Sequence, residues 1–294
     1  MRLSTVILPV NRWTQASAMW RQADEYGLHA AYTYDHLSWR SFRERDWFTM
    51  VPTLAAAATL TNSIRLGPLV STPNFRHPLL LAKDLAALDD ISQGRVLIGL
   101  GSGGTGYDAT VLGEEPMSRA ARHRRFAEFA RALDHLLRVP VGNLDGPWYR
   151  VVDSRQIPGT VQLPRPPIYL SALGPQSLAL AAEIADGWVS IGSATGGRST
   201  YESVSDQIVR LDEQLATRGR ARESIDRILL NFEGDERPLQ SFESFLDWAG
   251  RYHELGLDEV VVHWPIADSS FDSDRSLFER VATEGREILA TWGR

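Results

Sequence analysis

The sequence predicts an α/β fold, a (β/α)8 TIM barrel, on three observations. Eight short apolar runs recur from one end of the chain to the other, and a segment long enough for a helix separates most neighbouring runs. None of the runs shows the strict polar–apolar alternation of a strand with one wet face, as expected where both faces of a parallel sheet are covered. In order they are LSTVILPV (3–10), AAYTY (30–34), IRLGPLV (64–70), RVLIGLG (95–101), PIYLSA (167–172), GWVSIG (187–192), RILLNF (227–232) and EVVVHW (259–264). The stretch TQASAMWRQADEYG (14–27) reads as a helix that stops at Gly27, because glycine adopts the left-handed conformation of a helix C-cap without steric cost. Ser118 stands where an N-cap is needed for the long helix RAARHRRFAEFARALDHLLR. The segment ESFLDWAGRYHELGLDEVVV repeats the order of helix, Gly256 and strand.

Eight βα units can also remain open as a doubly wound sheet, and the stretch GLGSGG (99–104) bears on that choice. It spells G-x-G-x-x-G directly after an apolar run, the fingerprint of a dinucleotide-binding turn. In that fold the third glycine opens a helix at once, and an acidic residue ends the next strand about 20 residues later. Here GSGGTGYDATVLGEEP reads as a loop, no helix begins before about Ser118, and the motif falls on the fourth strand instead of the first. The dinucleotide reading is therefore rejected and the barrel retained. Residues 139–166 interrupt the regular pattern with five prolines and a hairpin-like GPWYRVVD. They read as an insertion between the fourth helix and the fifth strand, lying over a barrel end, within one barrel domain spanning 1–294.

Bulk properties narrow the chemistry. The chain has 294 residues, 43% of them hydrophobic and 23% charged, which suits an ordinary globular enzyme. With no cysteine, disulfides, thiolate–zinc sites and a cysteine nucleophile are excluded. A net charge of −6 spread along the chain argues against nucleic acid as a partner. No apolar run approaches the roughly 18–20 residues needed to span a bilayer, and MRLSTVILPV lacks the long apolar segment and cleavage site of a signal peptide. No membrane partner and a cytoplasmic location are the expectation.

In a barrel of this kind, function gathers at the C-terminal ends of the strands. That rule selects Asn11, Arg12 and Trp13 after the first strand, and Asp35, His36 and Trp39 after the second. It selects Ser71, Thr72, Asn74 and Arg76 after the third, the glycine loop after the fourth and SALGPQS after the fifth. SIGSATGGRST follows the sixth strand, Asn231 and Glu233 the seventh, and His263 and Trp264 close the eighth. His36 is the strongest candidate for proton transfer, since imidazole titrates near neutrality; a structural histidine bonded to a neighbouring loop is the alternative. No set of histidines and acids has metal-ligand spacing, so no metal is expected, and G-x-S-x-G is missing. Two glycine-rich turns offer backbone amides to an anion: GSGGTG, and the helix start at Gly174, Pro175, Gln176 and Ser177. Of the nine tryptophans, Trp13, Trp39 and Trp264 stand at the strand ends and are assigned with Asn11 and His263 to a substrate pocket.

The stretches YTYDHLSW, STPNFRHPLLLAKDLAALDDISQGRVLIGLGSG and LSALGPQSLALAAEIADGWV together resemble the luciferase-like monooxygenase superfamily, a (β/α)8 family that uses flavin or deazaflavin, over nearly the whole chain. The acid–histidine pair after the second strand and the turn TPNFR are similar to the branch that uses the 5-deazaflavin coenzyme F420. The resemblance implies that Asp35 and Thr72 contact the coenzyme, that backbone groups of Gly101, Ser102 and Gly103 lie by its ring or linker, and that Leu173, Gly174, Gln176 and Ser177 hold its phosphate. It implies a bulge with a non-proline cis peptide at Leu69–Val70 under the ring, and His36 beside coenzyme and substrate. The chain departs from the sugar-phosphate dehydrogenases of that branch. Gly104 replaces their glutamate proton donor, NRW replaces an acid after the first strand, and Lys83 is the only lysine in the chain. A sugar phosphate is therefore disfavoured against an apolar or planar small-molecule substrate. Arg40, Arg43, Arg45 and Arg76 are candidates for an anionic coenzyme tail. The competing expectations are an FMN-dependent two-component monooxygenase, fed reduced cofactor by a separate reductase, and a flavin-binding protein without turnover. The resemblance also implies a homodimer.

Overall fold

The computed structural model describes residues 1–192 and 197–293. Eight parallel strands form the central sheet: β1 (Arg2–Val6), β2 (Ala30–Thr33), β3 (Arg65–Pro68), β4 (Ile98–Leu100), β7 (Ile168–Ser171), β8 (Gly187–Ser190), β9 (Asp226–Leu230) and β10 (Glu259–His263). An antiparallel hairpin, β5 (Val141–Asp145) and β6 (Arg150–Arg155), stands outside it. The sheet runs β3-β2-β1-β10-β9-β8-β7-β4. Isolated parallel bridges Leu66–Val96 and Ser71–Leu100 join its two edges, so the barrel closes between β3 and β4. The seam needs two glycines. A Cβ on Gly67 would sit 1.7 Å from the Leu97 carbonyl oxygen, and one on Gly99 2.4 Å from that of Pro68.

The surrounding helices are α1 (Trp13–Glu25), α2 (Met50–Leu60), α3 (Pro78–Ile91), α4 (Arg119–Arg138), α5 (Pro175–Ile184), α6 (Thr200–Thr217) and α7 (Phe242–Glu254). A C-terminal helix is formed by α8 (Arg275–Arg280), a π turn over Val281–Gly285 and α9 (Arg286–Thr291). Ser118 caps α4, its hydroxyl accepting from the Ala121 amide at 3.3 Å. Before α4 the glycine-rich segment holds only one 3-10 turn, Tyr107–Ala109, as expected of a loop.

Strand parity sorts the core into two layers. On β10, Val260 and Val262 join the layer between sheet and helices, whereas Val261 faces the interior with Val6, Tyr32, Leu97 and Ile228. No helix is long and apolar enough to cross a membrane among the described residues.

The segment 139–166 lies only partly at a barrel end. Its hairpin stands on the flank of α4, where the Trp148 and Tyr149 amides donate to Glu128 at 3.0 and 2.8 Å. The Tyr149 ring packs edge-on against Phe129 and His77. Only the return strap runs below the strands, where Gln162 Nε2 donates to Asp89 (2.7 Å) and to the Val96 carbonyl (2.9 Å). The hairpin leaves the barrel end because Tyr149 finds an apolar slot between α3 and α4, which sequence pattern does not reveal.

Candidate functional site

At the carboxyl ends of the strands, residues from distant parts of the chain converge. After β2 the chain runs Tyr34, Asp35, His36, and successive side chains take different environments. Asp35 is 1% exposed and has both oxygens committed. It accepts from the Ser71 hydroxyl at 2.6 Å and, in bidentate fashion, from Arg76 Nε at 2.9 Å and a terminal nitrogen at 2.6 Å. A charged carboxylate this deeply buried requires such a partner. Asp35 thus ties the loop after β2 to the loop after β3, which carries the cis peptide Leu69–Val70 and the buried Thr72.

His36 is half-buried, and its Nδ1 is hydrogen-bonded to Asp108 Oδ2. The other oxygen of Asp108 accepts from the backbone amides of Leu37 (2.9 Å) and Ser38 (3.4 Å). Trp47 Nε1 donates to the His36 carbonyl at 2.8 Å, fixing the same segment from the opposite side. Among the described residues nothing hydrogen-bonds to His36 Nε2. Asp108 was not among the sequence candidates. It lies 72 positions away in a loop without periodicity, and only folding brings it to His36.

The glycine loop passes beside this pair. The Gly101 amide donates to the Ser71 carbonyl at 2.9 Å. Asn74 Nδ2 donates to the Gly104 carbonyl at 3.3 Å, and Arg125 donates to Asn74 Oδ1 at 2.7 Å, so the loop is braced from behind. Gly103 takes φ +70°, and a Cβ there would strike the Asn74 amide 2.6 Å away. Ser102 is half-buried on the same loop.

Beyond it, Leu173 leads into Gly174, the N-cap of α5. The Ser177 hydroxyl accepts from the Gly174 amide (3.2 Å) and donates to its carbonyl (3.0 Å), a local cap that leaves the exposed Gln176 at the helix start. The Arg119 guanidinium lies 3.5 Å from where a Gly174 Cβ would be. Among the described residues Arg119 has no carboxylate partner. First-turn amides, a helix dipole and an unpaired guanidinium make this a fitting seat for a phosphate.

The remaining wall is aromatic. The Tyr34 hydroxyl and His263 Nε2 are 2.8 Å apart, and the His263 ring stacks on Phe271 with centroids 3.8 Å apart. Trp39 packs among Tyr34, Phe42, Trp47, Phe232 and Phe271. Burial pushes the His263 imidazole down to about 3, a hydrogen bond at the Asn231 backbone offsetting it only in part, so the ring is neutral at physiological pH. Over this cluster Arg40 pairs with Glu233 at 2.5 Å and lies across the Trp39 and Phe232 rings. Glu233 also accepts from the Ser270 hydroxyl at 3.1 Å, joining the loops after β2, β9 and β10.

One sequence candidate sits elsewhere. Trp264 faces outward, packed on Tyr26 and Phe278 beneath the Arg275 guanidinium, which is 4.2 Å from its ring. Consecutive strand residues point to opposite faces, so His263 and Trp264 cannot share one pocket. Trp13 is the exposed first residue of α1, and Asn11 turns back to donate to the Met19 sulfur at 3.6 Å. The four arginines considered for an anionic tail are engaged: Arg76 by Asp35, Arg40 by Glu233, Arg43 over the Tyr107 ring and Arg45 at the Asp268 carbonyl. Residues 193–196 of the loop after β8 lie outside the described residues.

Residues 1–233 match the model of the luciferase-like monooxygenase family. The chain belongs to this family. Among curated proteins, it is 33% identical over 242 residues, 77% of its length, to an F420-dependent glucose-6-phosphate dehydrogenase of Nocardia farcinica. The matched part spans 60–67% of the length of the first two such dehydrogenases. Two solved structures share the fold. An F420-dependent secondary alcohol dehydrogenase superimposes with a TM-score of 0.80 at 14% identity, over 100% of this chain and 99% of that one. A monooxygenase from Streptomyces bottropensis superimposes with a TM-score of 0.78 at 21% identity, over 100% of both.

Proposed function

We propose that this luciferase-like protein is an oxidoreductase that moves a hydride between coenzyme F420 and a small organic substrate. The relatives named as F420-dependent dehydrogenases support this reading. The observation that carries it is the free Nε2 of His36, backed by a buried carboxylate and set beside the glycine loop. The residues fit such a cofactor. Leu69 and Val70 at the cis bond, Thr72, and the backbone of Gly101, Ser102 and Gly103 would face its ring and linker. Leu173, Gly174, Gln176 and Ser177, with Arg119 beside them, would take its phosphate. When bound, the coenzyme supplies the hydride donor or acceptor. The chain supplies position, exclusion of water by the aromatic wall, and at His36 Nε2 a site that takes or returns the substrate proton.

His263, neutral and sealed beneath Phe271, shapes the pocket without exchanging protons. Gly104 carries no acid, and the arginines of the mouth are committed to other groups. A neutral, apolar or planar substrate is therefore favoured over a sugar phosphate. The second reading is an FMN-dependent monooxygenase, favoured by Arg119, the first residue of α4, lying beside the N-terminus of α5, an arrangement that suits a terminal phosphate monoester. Fluorescence titration with oxidised F420 and with FMN tests the choice. Tighter binding of F420 is expected; preference for FMN would overturn the first reading in favour of the second.

A further inference from the structure

We infer that Asp108 is a positioning residue that holds neutral His36 in one tautomer, with the proton on Nδ1 and a bare lone pair on Nε2. The inference rests on the reading of His36 as the proton-handling residue and adds the direction in which it is set: to accept.

Asp108 lies in the 3-10 turn of the glycine loop and is 5% exposed. Its two oxygens have distinct duties. Oδ1 receives the Leu37 and Ser38 amides, and Oδ2 receives His36 Nδ1. All three donors belong to one short segment, so carboxylate and imidazole are held in register by the backbone that carries the histidine. A carboxylate can only accept, so the facing ring nitrogen of neutral imidazole must carry the hydrogen. Nε2 is then an acceptor. An adjacent contact strengthens the junction, since the Arg43 guanidinium stacks 4.1 Å from the Tyr107 ring. Two loops that together would embrace a flavin are thereby locked at the same place.

The geometry also says what Asp108→Asn does. Two backbone N–H groups demand an oxygen at the Oδ1 position, so the new amide must turn its NH2 toward His36 Nδ1. That nitrogen becomes an acceptor, and the proton moves to Nε2. The substitution thus reverses the tautomer while nearly preserving shape, as an orienting carboxylate changed to an amide does in a serine-protease triad.

The test is long-range 1H–15N correlation spectroscopy of the imidazoles of the full chain at a pH where they are neutral, with His36→Gln identifying the His36 signals among seven histidines. The wild type should show His36 protonated on Nδ1, and Asp108→Asn should show it protonated on Nε2. A wild-type His36 protonated on Nε2 overturns the proposal without any variant needing to fold, and so does an unchanged tautomer in Asp108→Asn. Titration of both proteins with oxidised F420 and with FMN accompanies the spectra. Affinity for the preferred cofactor should change by less than about threefold, because Asp108 acts through His36 and not on the cofactor, and a loss above tenfold would place Asp108 in the binding site instead. The tautomer is read without cofactor, so its failure is distinct from a failure of the F420 reading.

Discussion

His263 offers the sharpest quantitative test of the site, through acid stability. Its imidazole is buried at the barrel mouth, bonded to the Tyr34 hydroxyl and stacked on Phe271. Burial holds it down to about 3, against an ordinary value of 6.5. The neutral form is favoured in the folded state, so the contribution to stability is complete above pH 6.5. Below that the unfolded chain binds a proton that the folded chain refuses, until the pH reaches about 3. Each pH unit in that window costs about 1.4 kcal/mol, or about 2 kcal/mol at pH 5. For a chain of this length, with an unfolding entropy near 2.1 cal/mol/K per residue, that is a drop of about 3 °C in melting temperature. His263→Gln removes the titration and keeps an acceptor for Tyr34. The variant is less stable than wild type at pH 7.5, and the difference between the two narrows by about 2 kcal/mol on going to pH 5, measured by urea unfolding at each pH. Other titrating groups are common to both proteins and cancel. Parallel stability profiles between pH 7.5 and 5 would refute the argument, showing that His263 is open enough to protonate in the folded state.

Two further substitutions separate architecture from binding. Asp35→Asn removes the charge opposite Arg76, and because Arg76 keeps some solvent access the loss should be about 2–4 kcal/mol, or about 5 °C in a thermal melt; a change under 1 °C would show that the pair does not hold the two loops together. Arg119→Ala deletes an exposed, unpaired side chain, so stability should stay within about 0.5 kcal/mol while affinity for a phosphate-bearing flavin falls about tenfold in a fluorescence titration. Unchanged affinity would remove the start of α5 from the cofactor site.

Strand order and the mouth of the barrel were legible because they depend on composition over several residues. Each of the eight apolar runs overlaps its strand, with β1 and β9 starting one residue before theirs, and the rule that function gathers at strand ends pointed to His36 and the glycine loop, which the fold brings side by side. The misplacement of Trp264 has a simple cause. It was grouped with His263 by position, although a period of two sends one inward and the other outward. Parity could have settled this once His263 was assigned to the interior. Asp108 and Arg119 carried no such signal. Asp108 meets His36, and Arg119 comes beside Gly174, only once the chain has folded, and in sequence each looks like an ordinary surface charge. The glycines of the closing seam were equally silent: Gly67 and Gly99 sit within strand-like runs, where glycine reads only as a weakness until the neighbouring backbone is in place.

The two histidines at the mouth show how one barrel end can make unlike groups from the same side chain. His263 faces a hydroxyl and an aromatic ring, and with no carboxylate to stabilise an imidazolium its best state is neutral and enclosed. His36 stands half-exposed with a buried carboxylate behind it, the arrangement that orients an imidazole and supports it when it gains a proton. Proton exchange with a substrate requires both access and a partner that steadies the charged form. Only His36 has the two together, and the loop that supplies its partner is the glycine-rich loop expected to meet the cofactor. Placing that loop correctly therefore also arms the histidine, which is why a motif first met as a false dinucleotide fingerprint sits at the centre of the site.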